Sequence, residues 1–250
     1  LGAEVIKISN PKTGDPVANA PPFAGAEGIS LKKLDEDDIG LAYLKRNRGK
    51  KSITLNLKDE RGVSLFFDLV KKSDVLVENF RFGVTKRLGI DYEAVKRVNP
   101  EIIYCSITGY GNNGPDKELK AYDTMIQAAS GLMSITGNAN EAPLKAGSAL
   151  SDGISGTFAA MSIISAVFNK FRTGKGDFID VAMSDCLFSL VFDEPLDCYQ
   201  TLGVPERQGN RITRFSPFNS YKSKDQWIVI GAATDQDWKK ILNVIGRRDL

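Results

Sequence analysis

Along this chain the spacing of apolar residues switches repeatedly between a period of two and a period of about 3.6, the marks of strand and helix. Residues 3–8 (AEVIKI) predict a strand, followed by a Pro/Gly-rich loop and an acidic patch at Asp35-Glu36-Asp37-Asp38. Ser52–Leu57 (SITLNL) alternates at period two and predicts a half-buried strand. Asp59 then stands where a cap belongs, ahead of a helix to Lys72 with the apolar set Val63, Leu65, Phe66, Phe67, Leu69 and Val70. Val75-Leu76-Val77 predicts a short buried strand and residues 91–98 a helix ending at Asn99-Pro100. The next strand, Ile102–Thr108, runs into a glycine loop. This rhythm predicts an α/β fold: a mostly parallel sheet with helices on both faces.

The second half is helical first. Asp123–Met133 and the long amphipathic Gly153–Arg172 predict helices, the second stopped by Thr173-Gly174-Lys175-Gly176. Phe178–Met183 predicts a strand and residues 185–202 a further helix. From about residue 205 the character changes. Phe218–Tyr221 and Trp227–Ala232, around Lys224-Asp225, predict a β-hairpin, and Asp235–Ile245 a helix. The predicted organisation is a large domain over 1–204 and the start of a second, smaller α+β domain over 205–250. Because the chain opens at Leu1 almost directly into a strand and stops at Leu250 just after a helix, it reads as an internal fragment.

Composition narrows the chemistry. With 42% hydrophobic and 26% charged residues, the chain is neither disordered nor a disulfide scaffold. No uninterrupted apolar run approaches the ~18 residues of a membrane span, so no membrane association is expected. Lys+Arg 33 against Asp+Glu 31 gives +2, too balanced for a dedicated nucleic-acid binder. The chain has no histidine, which removes Ser-His and Cys-His nucleophile systems, HExxH zinc sites and a histidine base. Cys105, Cys186 and Cys198 fit no metal motif and each sits in an apolar stretch. Buried reduced thiols in a cytoplasmic protein, with no metal, are the expectation.

Three segments carry candidate chemistry. Gly109-Tyr-Gly111-Asn-Asn-Gly114 fits G-x-G-x-x-G after a strand, but Pro115-Asp116-Lys117-Glu118 follows where an apolar helix should begin. That context argues against a nicotinamide or flavin dinucleotide. Lys45-Arg46-Asn47-Arg48-Gly49-Lys50-Lys51 holds five cations in seven residues, either a solvated loop or a phosphate-recognition loop. Asp152, within Ser151-Asp152-Gly153-Ile154-Ser155-Gly156 at the start of the long helix, admits two readings: a helix cap, or a carboxylate nucleophile that small neighbours let a substrate approach.

In order along the chain, seven motifs carry a resemblance. They are Leu1-Gly-Ala-Glu-Val-Ile-Lys-Ile8, Asn47-Arg-Gly-Lys-Lys-Ser-Ile-Thr-Leu-Asn-Leu-Lys58, Asp74-Val-Leu-Val-Glu-Asn-Phe80, Asn99-Pro-Glu-Ile-Ile-Tyr104, Gly109–Pro115, Ala121-Tyr-Asp123 and Thr173–Met183. The chain resembles the family III CoA-transferases, which include formyl-CoA and carnitine CoA-transferases and α-methylacyl-CoA racemases. The resemblance implies a Rossmann-like large domain, an interlocked homodimer, CoA or acyl-CoA as substrate, and a carboxylic acid acceptor. It implies Asp152 as nucleophile, forming an aspartyl anhydride and then an aspartyl-CoA thioester. Leu55, Asn56, Leu57, Lys58, Asn79, Phe80, Arg81, Arg87, Lys120, Ala121, Tyr122 and Asp123 would line the CoA site. The cations there suit CoA's phosphates, and Leu55 and Phe80 suit adenine and pantetheine. Ser9-Asn10-Pro11 and Gly14-Asp15-Pro16-Val17-Ala18 depart from the family pattern, which often carries Glu after the first strand and Arg after Gly-Asp. Two alternatives accompany transfer. The racemase branch needs a histidine where Tyr122 stands, and a tyrosine with pKa near 10 is a poor base at neutral pH. The other is a non-catalytic CoA-binding protein.

Overall fold

A computed structural model describes residues 2–249; Leu1, which opens the first motif, and Leu250, the last residue of the chain, lie outside the described residues. The chain divides into two compact units, each assembled from separate stretches: Leu1–Val77, Gly83–Tyr104 and Ala166–Phe178 form one, and Glu78–Phe82, Cys105–Ser165 and Ile179–Leu250 the other.

The first unit begins with β1 (Ile6–Ser9), three residues shorter at its start than expected but extended by Ser9. A small antiparallel sheet that the sequence pattern did not announce follows: β2 (Phe23–Gly25), β3 (Gly28–Ser30) and β4 (Ile39–Gly40), in the order β3-β2-β4. One member of the acidic patch belongs to its core. Asp38 is buried, and its carboxylate accepts from the Leu34 and Asp35 N–H groups. After α1 (Leu41–Arg46) comes β5 (Lys51–Thr54), parallel to β1 with Ile8 opposite Ile53.

β5 stops three residues before the alternating pattern does. The Leu55 N–H still donates to Ser9 O, but the Asn56 side chain then accepts from the Lys58 N–H and turns the chain. Asp59 caps α2 (Glu60–Val70) as expected, accepting from the Arg61 N–H. Gly62, Phe66 and Val70 form the buried stripe of α2, four residues apart, while Leu65 lies off it and faces solvent. β6 (Val75–Glu78), α3 (Val84–Leu88), α4 (Tyr92–Val98, capped by Asp91) and β7 (Ile103–Thr108) complete the run. The core of this unit is Phe66, Val70, Ile90, Val95, Ile102 and Tyr104, with Leu55 and Leu57 packed half-buried against it. Asn99, at the end of α4, donates its side-chain amide to Val70 O and Ser73 O, locking the end of α2 beside it.

The second unit opens helically. The single helix expected over 123–133 is two, α5 (Asp123–Ala129) and α6 (Leu132–Ile135), because Gly131 adopts a left-handed φ of 86° and breaks the ladder. The long helix α7 (Leu150–Thr173) starts three residues earlier than expected. β8 (Asp177–Ala182) follows, and the sheet order is β6-β7-β8, each neighbour reached through a helical crossover as parallel pairing requires. The helix expected over 185–202 is also two, α8 (Met183–Val191) and α9 (Leu196–Thr201), with Pro195 between them. The hairpin of β9 (Phe218–Lys222) and β10 (Trp227–Gly231) pairs antiparallel, and α10 (Asp235–Ile245), capped by Thr234, matches its expected bounds. A core cluster joins Cys105, Ala159, Val181 and Cys186.

By length and mean hydropathy alone α7 would pass for a membrane span. The rule of uninterrupted apolar residues misses it because serines, glycines and Asp152 punctuate the run.

Candidate active site around Asp152

Asp152 is the third residue of α7, inside its first turn rather than ahead of it. The reason the helix starts early is visible one residue back. Ser151 is fully buried, and its N–H and hydroxyl both donate to Asp123 Oδ1, at 2.8 and 2.7 Å. Asp123, the first residue of α5, thus serves the start of α7 from outside. Asp152 itself is exposed.

The glycines beside it are not demanded by packing. A Cβ added at Gly153 or Gly156 would meet nothing within 4 Å, and neither residue has a positive φ. Glycine inside a helix costs about 1 kcal/mol relative to alanine. The helix surface at Gly153 and Gly156, next to Asp152 in the sequence, is therefore open, while Ser151 and Ser155 are buried.

Elsewhere in the second unit, the loop from Asn79 to Phe82 is tied to the segment before α5. Arg81 donates to Glu118 O at 3.1 Å, and the Lys117 ammonium stands 4.7 Å over the Phe82 ring. Asn79, Phe80, Arg81, Lys120 and Tyr122 are exposed, with Ala121 and Asp123 half-buried. Tyr122 is 69% exposed. The glycine loop does not open a helix; the next one starts only at Asp123. Its Asn112 instead donates its N–H and side-chain amide to Asp180 on β8, and the amide also reaches Ser106 on β7. Gly109 is required there, since a Cβ would stand 2.1 Å from the Ala121 Cβ. Burial pushes the Glu78 carboxyl above its usual range, against hydrogen bonds from Ser106 and the Phe80 N–H, and the Asp180 charge pushes it further.

The first unit holds the other expected positions. Leu55 and Leu57 are half-buried and partly engaged by the core, whereas Asn56, Lys58 and Arg87 are exposed. The basic run lines a cavity of about 330 Å³ with Lys7, Tyr43, Asn47, Arg48, Lys50 and Lys51 on its walls. Lys7 pairs with Asp15 and covers the Tyr43 ring, and Lys51 pairs with Glu4. Tyr43 carried no mark in the sequence, and Lys7 none beyond its place in the first motif.

Burial lifts the Cys105 thiol to about 11, with Glu78 and Asp180 adding to the shift, and lifts Cys186 as well. Cys198 corrects the expectation of three buried thiols: it faces solvent on α9, where the apolar stretch around it turns Tyr199 inward instead. Among the described residues, no group of three or more His, Cys, Asp or Glu side chains could hold a metal ion.

The fold is mixed α/β with parallel strands and flanking helices, and comparison with known proteins places it in a family. The sequence profile of CoA-transferase family III matches residues 1–250. The acetyl-CoA:oxalate CoA-transferase of Acetobacter aceti is 40% identical over 252 residues, which are 100% of this chain and 61% of that protein. The human succinyl-CoA:glutarate CoA-transferase is 36% identical over 251 residues, 100% of this chain and 55% of that protein. The crystal structure of a CAIB/BAIF family protein from Brucella suis superposes with a TM-score of 0.84 at 35% identity, covering 100% of this chain and 64% of that one. The chain belongs to CoA-transferase family III. It spans about three fifths of the length of these relatives.

Proposed function

We propose that the protein of which this chain is part moves CoA from an acyl-CoA donor to a carboxylic acid acceptor, with Asp152 as nucleophile. The observation that carries the reading is Asp152 on the exposed first turn of α7, anchored from beneath and bordered by two glycines that nothing in the fold requires. An Asp152 carboxylate oxygen attacks the donor thioester carbonyl, and the C–S bond breaks to give a mixed anhydride and CoA thiolate. The thiolate attacks the aspartyl carbonyl and expels the donor acid, leaving an aspartyl-CoA thioester. An acceptor carboxylate then attacks that thioester to form a second anhydride. The released thiolate takes the acceptor acyl group and frees Asp152. Thioester replaces thioester throughout, so the exchange is near balance, and water must be kept from both intermediates.

The names of the relatives make acetyl-CoA or succinyl-CoA the donors to try first, with short dicarboxylates such as oxalate and glutarate as acceptors. Mass spectrometry of the full-length protein incubated with these pairs is expected to show CoA on the acceptor acid. Turnover of no pair, with CoA still bound, would instead favour a non-catalytic CoA-binding role.

CoA contacts are proposed at Leu55, Asn56, Leu57, Lys58 and Arg87 in the first unit and at Asn79, Phe80, Arg81, Lys120, Ala121 and Tyr122 in the second; Asp123, which the resemblance also implies, already accepts from Ser151 and Gln127. The exposed cations at Lys58, Arg81, Arg87 and Lys120 suit a diphosphate and a 3′-phosphate. Changing Arg87 or Lys120 to Ala is expected to weaken CoA binding by about 1–3 kcal/mol, the worth of a charge-assisted phosphate contact. Calorimetry that finds CoA affinity unchanged in both variants would remove them from the site.

A homodimer belongs to the same reading. Phe158, Met161, Ile164, Phe168 and Phe171 recur three or four residues apart along α7, and are 38–86% exposed. Such a continuous apolar stripe calls for a cover, and a second copy would supply one. Sedimentation of the full-length protein as a monomer would remove the dimer. A cytoplasmic setting suits the three unpaired thiols.

A further inference from the structure

Asp123 was grouped above with the CoA contacts, yet the chain's own donors claim both of its carboxylate oxygens. Oδ1 accepts from the Ser151 N–H and hydroxyl, and Oδ2 accepts from the Gln127 side-chain amide at 2.7 Å. Gln127, one turn along α5, is fully buried. Its amide also donates to Ser148 O at 3.3 Å, and its oxygen accepts from the Ala146 N–H at 2.8 Å. The Ser151 carbonyl accepts in turn from the buried Ser155 hydroxyl at 2.6 Å. One carboxylate thus holds together the first turn of α5, the loop before α7 and the first turn of α7.

We infer that Asp123 is a positioning residue rather than a CoA ligand: through Ser151 it fixes the backbone from which Asp152 projects. The inference rests on the reading of Asp152 as nucleophile. Ser151 immediately precedes Asp152, so any shift of its N–H moves the Asp152 Cα directly. A charged acceptor makes the stronger hydrogen bond, and a buried network has few alternative arrangements. Asparagine at 123 keeps one acceptor but turns an –NH2 toward the Gln127 –NH2. To avoid donor facing donor, Gln127 must flip, and the flip surrenders its bond from the Ala146 N–H. The loop before α7 is then free to shift, and a displacement of about 1 Å at a reacting group is enough to cost about 100-fold in rate.

The test is steady-state exchange on the full-length protein, beside calorimetric CoA binding, for Asp123→Asn, Ser151→Ala, the pair combined, and Asp152→Asn. In Asp123→Asn, kcat is expected to fall about 10–100-fold while KM for acyl-CoA and Kd for CoA stay within about twofold. Ser151→Ala keeps the N–H bond and is expected to lose less of kcat, again at constant KM. The double variant is expected to be about as slow as Asp123→Asn alone, because both changes act through one contact. Backbone amides of residues 150–153 should exchange with deuterium faster in Asp123→Asn. A raised KM and Kd with kcat kept would make Asp123 a CoA ligand and overturn the inference, as would a silent variant. If Asp123→Asn does not fold, Ser151→Ala decides alone: unchanged kcat overturns, lowered kcat at constant KM supports. Exchange at the wild-type rate by Asp152→Asn would sink the nucleophile reading itself. A dead Asp152→Asn beside an Asp123→Asn altered only in KM would sink the positioning role alone.

Discussion

Asp152→Asn is expected to fold as the wild type does and to lose acyl exchange by about three orders of magnitude or more. The two halves of that result have separate causes. Folding survives because the buried Ser151 donors at the start of α7 are served by Asp123 from outside the helix. Asparagine also matches aspartate in size and is tolerated about as well near a helix start. Exchange is lost because an amide cannot attack a thioester and hold the acyl group as an anhydride. A purely structural Asp152 would give the opposite outcome, a nearly silent variant. Thermal unfolding and exchange rates measured side by side separate the two.

Gly62→Ala is expected to destabilise the protein by about 1–3 kcal/mol, although alanine is the better helix former. Gly62 is buried on α2, and a Cβ there would stand 2.1 Å from Asn56 O and 2.8 Å from the Asn56 carbonyl carbon. The obstacle is backbone, not a flexible side chain, so it yields only by pushing the Leu55–Lys58 turn away from α2. For a chain of this size the melting temperature should drop by about 2–4 °C per kcal/mol. Because Leu55–Lys58 is a proposed CoA contact, CoA affinity should fall as well. A melting temperature equal to or above the wild type would show that the turn relaxes freely. Helix propensity, worth about 1 kcal/mol in the other direction, would then dominate.

Elements with a strong period or a chemical stop were legible from residues alone. Asp59 marks the start of α2 because a short oxygen-bearing side chain can take the free N–H groups there, and the structure shows Asp91 and Thr234 doing the same for α4 and α10. Boundaries set from outside an element were not legible. α7 begins at Leu150 because a carboxylate 28 residues earlier accepts from Ser151, which no local pattern records. β5 ends at Thr54 because the Asn56 side chain competes with the ladder, while the alternation of apolar residues continues past it. The two breaks inside expected helices carried a visible signal in Gly131 and Pro195. The short sheet of β2, β3 and β4 carried almost none, since strands of two or three residues have no period to read.

At the candidate site, the small residues around Asp152 were plain in the sequence, and the structure adds that Gly153 and Gly156 face open space. Asp123 was legible as a residue of interest through the family motif, but not for what its carboxylate touches. An Asp and a Gln four residues apart on a helix is a common surface pairing, and only the packing shows that this pair is turned inward upon the start of α7. The contact of Lys7 with Tyr43 escaped notice because a lysine in a strand and a lone tyrosine in a short helix look like surface residues until the ammonium is seen over the ring.

The central claim is a covalent bond at Asp152. Full-length protein mixed with acetyl-CoA or succinyl-CoA, trapped with hydroxylamine or borohydride and digested, can be mapped by peptide mass spectrometry. The expected result is modification at residue 152 in the wild type and none in Asp152→Asn. An unmodified Asp152 peptide recovered from enzyme that is actively exchanging CoA would contradict the claim.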